Sequence, residues 1–159
     1  MTTLAGLAPV INTQTRILIL GSFPGTASLA ASEYYAHPRN QFWHFMSVLL
    51  EHDLMAVTYT TRLAILQNKH IGLWDVIASC ERLGSLDSAI RDACSNQLSD
   101  LSVGCPNLKR IGFNGKTAGK FAMQFAGTGI DTIVLPSSSP AYASMRFAEK
   151  LTEWRKLFE

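Results

Sequence analysis

The sequence predicts a three-layer α/β/α fold built on a central, mainly parallel sheet of four strands. Three observations predict it. Short apolar runs at 17–20, 71–77, 108–113 and 131–135 alternate with longer stretches of helical spacing, the pattern of βαβ units. These runs are continuous, as expected of strands buried on both faces. Turn-forming residues follow them at Gly21–Gly25, Asn114-Gly115 and Pro136–Pro140, so the strand ends meet at one rim, where ligands collect in open α/β sheets.

Taken in order, residues 1–15 read as a loosely ordered lead-in, packed through Leu7, Val10 and Ile11. Ile17 to Leu20 is the opening strand. Gly21-Ser22-Phe23-Pro24-Gly25 turns the chain sharply, and Tyr34 to Asn40 forms a second loop. A helix over 41–52 follows, with Phe42, Phe45, Met46 and Leu49 at three-to-four spacing. Tyr59–His70 is a second helix, and 71–77 a second strand, weakened by Gly72. Ser85 is the expected cap of a helix carrying Asp87 in its first turn, with 86–102 helical in one or two pieces. The third strand, 108–113, leads into a helix with Ala118, Phe121, Ala122 and Phe125 on one face. The fourth, 131–135, leads through the Pro136–Pro140 loop to a last helix striped by Ala143, Phe147, Leu151, Trp154 and Phe158.

The length, 159 residues, fits one domain, and a composition that is 47% hydrophobic and 16% charged excludes a disordered chain. No apolar run is long enough for a membrane span, and the first residues carry no secretory-signal pattern. A net charge of +2 permits nucleic-acid binding only if basic residues gather on one face. Cys80, Cys94 and Cys105, with no CxxC spacing, argue against a disulfide framework, zinc or an iron–sulfur cluster. The four histidines make no metal-ligand pattern, so no metal or other cofactor is expected.

The rim holds the chemistry. Ser22 offers a hydroxyl beside glycine, but no GxSxG elbow surrounds it, and a small turn residue is its simpler role. Neither Gly21–Gly25 nor Gly115-Lys116-Thr117 has phosphate-loop spacing. Asn40 and Asn114 each present an amide donor and acceptor, able to read a nucleobase edge or hold a water; both also precede helices, where they would serve as caps. Tyr34 and Tyr35 offer stacking surfaces or core packing, and His37 orients its loop or moves protons. Arg39 and Lys116, with Lys120 and Arg146, would place positive charge beside the serine hydroxyls of Ser137, Ser138 and Ser139.

GSFPG, YYAHPRNQFW, GLWDVIASCERLGSLDSAI, IGFNGKTA and LPSSSPAYA, in that order, resemble the uracil-DNA glycosylase superfamily, and best its hypoxanthine-DNA (DNA-deoxyinosine) glycosylase branch, over roughly residues 16–150. That resemblance implies base excision repair: hydrolysis, without cofactor, of the N-glycosidic bond of a deaminated base flipped out of DNA. It implies catalytic roles for Asn40 and Asn114, and base contacts from Ser22, Phe23, Tyr35 and His37. Arg39, Lys116, Ser137, Ser138 and Ser139 would meet DNA, with Ala141 or Tyr142 near the wedge. A monomer acting on chromosomal DNA in a prokaryotic-type cytoplasm is expected. Much of the superfamily carries an Asp or Asn in the first turn to position the attacking water, and here Ser22 and Phe23 stand in its place. That departure keeps two alternatives open: a uracil or G/U(T) mismatch glycosylase, and a non-catalytic nucleobase- or DNA-binding module on the same fold.

Overall fold

Continuous apolar runs need cover on both sides, and the chain supplies it with helices and a second sheet. In the computed structural model, which describes residues 2–159, the strands are β1 (Leu4–Ala5), β2 (Ile17–Gly21), β3 (Ile71–Asp75), β4 (Ile77–Glu81), β5 (Arg91–Ser95), β6 (Arg110–Asn114) and β7 (Asp131–Leu135). The helices are α1 (Thr26–Ala31), α2 (Phe42–Leu49), α3 (Tyr59–Asn68), α4 (Leu101–Gly104), α5 (Lys116–Gly119) and α6 (Phe147–Arg155). The predicted four strands form an all-parallel sheet in the order β3-β2-β6-β7. Leu18, Ile19 and Leu20 are completely buried. Because strand side chains alternate, Ile19 packs with Phe42, Phe45, Met46 and Trp154 on one face, while Leu18 and Leu20 pack with Ile111, Phe113 and Ala118 on the other.

The chain enters on β2 at the middle of the sheet, adds β3 on one side, then crosses to add β6 and β7 on the other. That reversal opens a crevice at the carboxyl ends of the central strands. Pairing in register sets Gly21 opposite Asp75 and Ile19 opposite Gly112. Asn114, two residues beyond Gly112, therefore shares a sheet face with Gly21 and Asp75.

Several expectations are corrected. The lead-in is ordered: β1 pairs antiparallel with β4, and Val10 bridges to Leu73. Gly72 makes that crossing possible, since a Cβ there would lie 2.9 Å from the Val10 carbonyl. The 71–77 run breaks after Asp75, and β4 leaves to join β1 and β5 in a separate three-stranded antiparallel sheet. The 86–102 stretch is not mainly helical. It holds a 3₁₀ turn at Asp87–Ala89, strand β5, a second 3₁₀ turn at Leu98–Asp100 and the short α4. All five side chains of β5 are exposed, so backbone pairing with β4 makes the strand and no apolar period announces it.

Ser85 does not cap a helix of its own; its Oγ accepts the Thr26 N–H at the start of α1, a helix the sequence reading omits. After Asn114 the helix lasts one turn before the 3₁₀ segment Ala122–Phe125, although Ala118 and Phe125 are buried as expected. The 41–52 helix ends at Leu49 and the 59–70 helix at Asn68. The last helix begins at Phe147, leaving Ala143 exposed outside it. Its buried face includes Lys150, whose Nζ donates to Gln41 Oε1 at 3.0 Å and to the Tyr142 carbonyl at 2.7 Å. Burial lowers the pKa of that ammonium.

Candidate functional site

A cavity of about 380 Å³ opens at the carboxyl ends of β2, β3 and β6. The first turn makes one wall and is stapled from two sides. Val76 N–H donates to the Gly21 carbonyl at 2.8 Å and Ile77 N–H to the Ser22 carbonyl at 3.1 Å, so the departing β4 holds the turn. The buried Arg82 donates through Nη2 to the Pro24 carbonyl at 2.7 Å and through Nε to the Gly84 carbonyl at 2.8 Å. Its guanidinium lies 5.2 Å from the centre of the Phe23 ring. Ser22 Oγ donates to Asp87 Oδ1 at 2.7 Å. The hydroxyl thus fastens the 3₁₀ turn to the first loop.

The 34–40 loop makes the opposite wall, and its two tyrosines differ. Tyr34 is core: its Oη donates to the Ala8 carbonyl at 2.7 Å, and its own carbonyl accepts Trp43 Nε1–H at 3.0 Å. Tyr35 lines the cavity, half-buried, in the left-handed conformation at φ 56°. One face of its ring stacks on Phe42 at 4.1 Å between centres. His37 shapes the turn, accepting the Arg39 N–H on Nδ1 at 3.1 Å. Asn40 Oδ1 accepts the Phe42 N–H at 3.0 Å in an Asx turn. That bond fixes the loop just ahead of α2, whose N-cap position is Gln41 and not Asn40, and the Asn40 Nδ2 donors have no partner among the described residues.

Asn114 behaves differently. Its Oδ1 accepts the Ser138 N–H and its Nδ2 donates to Ser138 Oγ, both at 2.9 Å. The backbone donor fixes which end of the amide is oxygen. Beyond Ser138 this buried amide keeps one N–H and one lone pair, beside the Tyr35 hydroxyl, and Asn114 lines the cavity. The serine loop is held in turn by Gln41 N–H on the Ser138 carbonyl at 3.0 Å and by Trp154 Nε1–H on the Pro136 carbonyl at 2.8 Å. Lys150 lies 5.0 Å from the centre of the Tyr142 ring and restrains the end of that loop.

The cavity thus gathers Ser22, Phe23, Tyr35, His37, Asn40, Asn114, Ser137, Ser138, Ser139, Ala141 and Tyr142. Arg39 and Lys116 do not line it; both are exposed. The sequence reading missed Asp75, Asp87 and Arg82. Asp75 carried a usable signal, an acid closing the run Ile71–Trp74 opposite Gly21.

Asp75 is 5% exposed and lines the cavity. Neither carboxylate oxygen accepts a hydrogen bond among the described residues, and Oδ2 is sealed from solvent. Burial first, and the charge of Asp87 second, push its carboxyl up from 3.8 to about 7. Tyr35 Oη is likewise sealed from solvent; burial, followed by Asp75, raises its pKa, while the Asn114 amide beside it pulls the other way. No described helix is long and apolar enough to cross a membrane.

A family described as the Uracil DNA glycosylase superfamily matches residues 8–159. A hypoxanthine DNA glycosylase of Methanosarcina barkeri is 43% identical over 136 residues, covering 86% of each chain. A second protein of that name, from Methanosarcina acetivorans, is 39% identical over 154 residues, covering 96% of each. A solution NMR structure of a candidate uracil DNA glycosylase from Methanosarcina acetivorans superimposes with a TM-score of 0.85 at 37% identity, covering 99% of this chain and 100% of that one.

Proposed function

The chain belongs to the uracil DNA glycosylase superfamily, and from that premise we propose that it is a monofunctional DNA glycosylase acting on a deaminated base, hypoxanthine first. The names of its two relatives support the base. The observation that carries the reading at the site is the Asn114–Ser138 pair, an amide locked at a strand end with one donor and one acceptor left facing a base-sized cavity. Hypoxanthine offers ring N–H and carbonyl groups that such an amide can satisfy, whereas a base leaving the amide unpaired is penalised.

A base inside duplex DNA is out of reach, so it is extruded into the cavity, most easily where its pairing is already weak. Tyr35 stacks on it with the ring face opposite Phe42. As the glycosidic bond lengthens, the sugar gains oxocarbenium character and the base gains negative charge. Asn114 and nearby backbone N–H groups stabilise the departing base. Asn40, its Oδ1 already engaged, donates from Nδ2 to the attacking water. His37 keeps the loop in shape, and Ser22 and Phe23 form the wall behind the base. The Ser137–Ser139 hydroxyls, Arg39 and Lys116 meet phosphates, with Ala141 or Tyr142 at the wedge. The protein works as a single-domain monomer on chromosomal DNA in the cytoplasm, without cofactor.

Incubation with duplexes carrying one inosine, uracil or mismatched thymine, followed by alkaline cleavage of abasic sites, tests this. Cleavage at inosine above the other two is expected. Cleavage confined to uracil or thymine would reassign the base, and DNA binding without abasic sites would make the protein a non-catalytic reader. Single-turnover rates separate the amides. Asn40→Ala should lose about 10²–10³ on every accepted base, and Asn114→Ala should reorder the bases.

A further inference from the structure

Asp75, Gly21 and Asn114 stand side by side at the ends of β3, β2 and β6, on one face of the sheet. The middle position has no side chain. A Cβ on Gly21 would lie 2.6 Å from Asp75 Oδ1 and 3.2 Å from Tyr35 Oη. Asp75 Oδ1 therefore fills the space that a side chain at 21 would take, close to the Tyr35 hydroxyl, and Oδ1 accepts no hydrogen bond among the described residues. A buried carboxylate without a partner is costly. Asp75 lines the cavity, so its unpaired Oδ1 calls for a polar partner from the cavity side, a place a water can take.

Taking the glycosylase reading as its basis, we propose that Asp75 Oδ1 holds the attacking water and accepts its proton. The neighbouring strand thereby supplies the carboxylate that the first turn lacks. A water lone pair forms the bond to C1′ of the sugar, and the C1′–N bond breaks with its electron pair going to the base. The water's proton passes to Asp75, and the departing base takes a proton from solvent. Asp75 then returns its proton to solvent. Its negative charge also faces the oxocarbenium sugar and stabilises it.

The other groups at the cavity do not serve as this base. The amides of Asn40 and Asn114 hold water but do not take protons. Asp87 is exposed on the 3₁₀ turn and already accepts the Ser22 hydroxyl. His37 is exposed at the mouth, with Nδ1 engaged by Arg39 N–H. Tyr34 and Tyr35 face Asp75 from the loop before α2, and burial raises both phenols. Arg82, just after β4, donates Nη2 and Nε to the Pro24 and Gly84 carbonyls and, as a guanidinium, stays charged and cannot act as a base. With its carboxyl raised to about 7, Asp75 is partly ionised near neutral pH, the range in which a general base works best. A base acts when deprotonated, so the rate must rise with pH through that value.

Single-turnover excision from an inosine duplex, followed from about pH 5 to about pH 9, tests the assignment. The parent rate should climb about tenfold per pH unit below about 7 and level off above it. Asp75→Asn should lose about 10²–10³ at the plateau and give a flat profile, while melting no lower than the parent at pH 8. Asp75→Glu should recover part of the rising limb. A parent rate that is flat or falls with pH overturns the proposal without any variant, even if Asp75→Asn fails to fold. A folded Asp75→Asn protein excising at the parent rate overturns it too. If the parent excises no base from inosine, uracil or thymine substrates, the glycosylase reading fails and takes this role with it. An active parent with an equally active Asp75→Asn removes only the role of Asp75.

Discussion

The floor and the lip of the cavity obey different physics. On the floor, Gly21, Asp75 and Asn114 are set by strand pairing, and the Asp75 and Asn114 side chains are held out of solvent. On the lip, Asp87, Leu86, His37 and Tyr142 come from loops and are exposed. Two aspartates in one cavity make the contrast plain. Asp75 is desolvated and pushed up to about 7, whereas Asp87 sits in water and accepts a serine hydroxyl. Burial strengthens each electrostatic interaction and raises the cost of leaving one unmade, so an unpaired charge costs more on the floor than on the lip.

The sharpest way to break this comparison is Gly21→Ala. The added methyl would lie 2.6 Å from Asp75 Oδ1 and must push that carboxylate aside while the strand stays paired. Excision should fall about 10²-fold in single-turnover assays, by loss of one oriented polar group. A folded Gly21→Ala protein with parent activity would show that the placement of Asp75 beside Gly21 is idle. Tyr35→Ala should slow excision by about one to two powers of ten, since stacking an extruded base contributes about 1–3 kcal/mol. Tyr35→Phe should retain most activity and remove a buried hydroxyl.

The stability of Asp75→Asn sharpens the contrast from another side. The folded carboxyl titrates at about 7 and the unfolded one near 3.8, so the folded state keeps a proton that the unfolded chain releases between them. Parent stability therefore falls as pH rises through that window and is fully penalised above about 7. Asp75→Asn should gain up to about 4 kcal/mol at pH 8 and little near pH 4, read by chemical denaturation at both. Equal stability at both values would mean that Asp75 is better solvated than its position implies. The smallest effect belongs to the lip. Asp87→Asn removes the second cause of the Asp75 shift, so the rising limb of the rate profile should move to lower pH by under about one unit. The plateau rate should stay within about threefold of the parent.

What the sequence by itself determined is the parallel frame and most of the rim. Continuous apolar runs have one stable use in a chain of alternating strands and helices, and turn residues mark where such strands end. That logic locates Ile17–Gly21, Arg110–Asn114 and Asp131–Leu135 closely, and it brings Asn40, Tyr35, Asn114 and the serine loop to one cavity. Tertiary structure decided the rest. Strand β5 exists because β4 offers a free edge, and its own side chains stay in water. Ser138 diverts Asn114 from capping α5, a choice made across 24 residues of chain. Asp75 is an ordinary strand-end acid until register sets it beside Gly21, below Tyr35, and out of water. Local spacing encodes which residues can pair along one element. Desolvation depends on what packs over them, and only the closed fold supplies that.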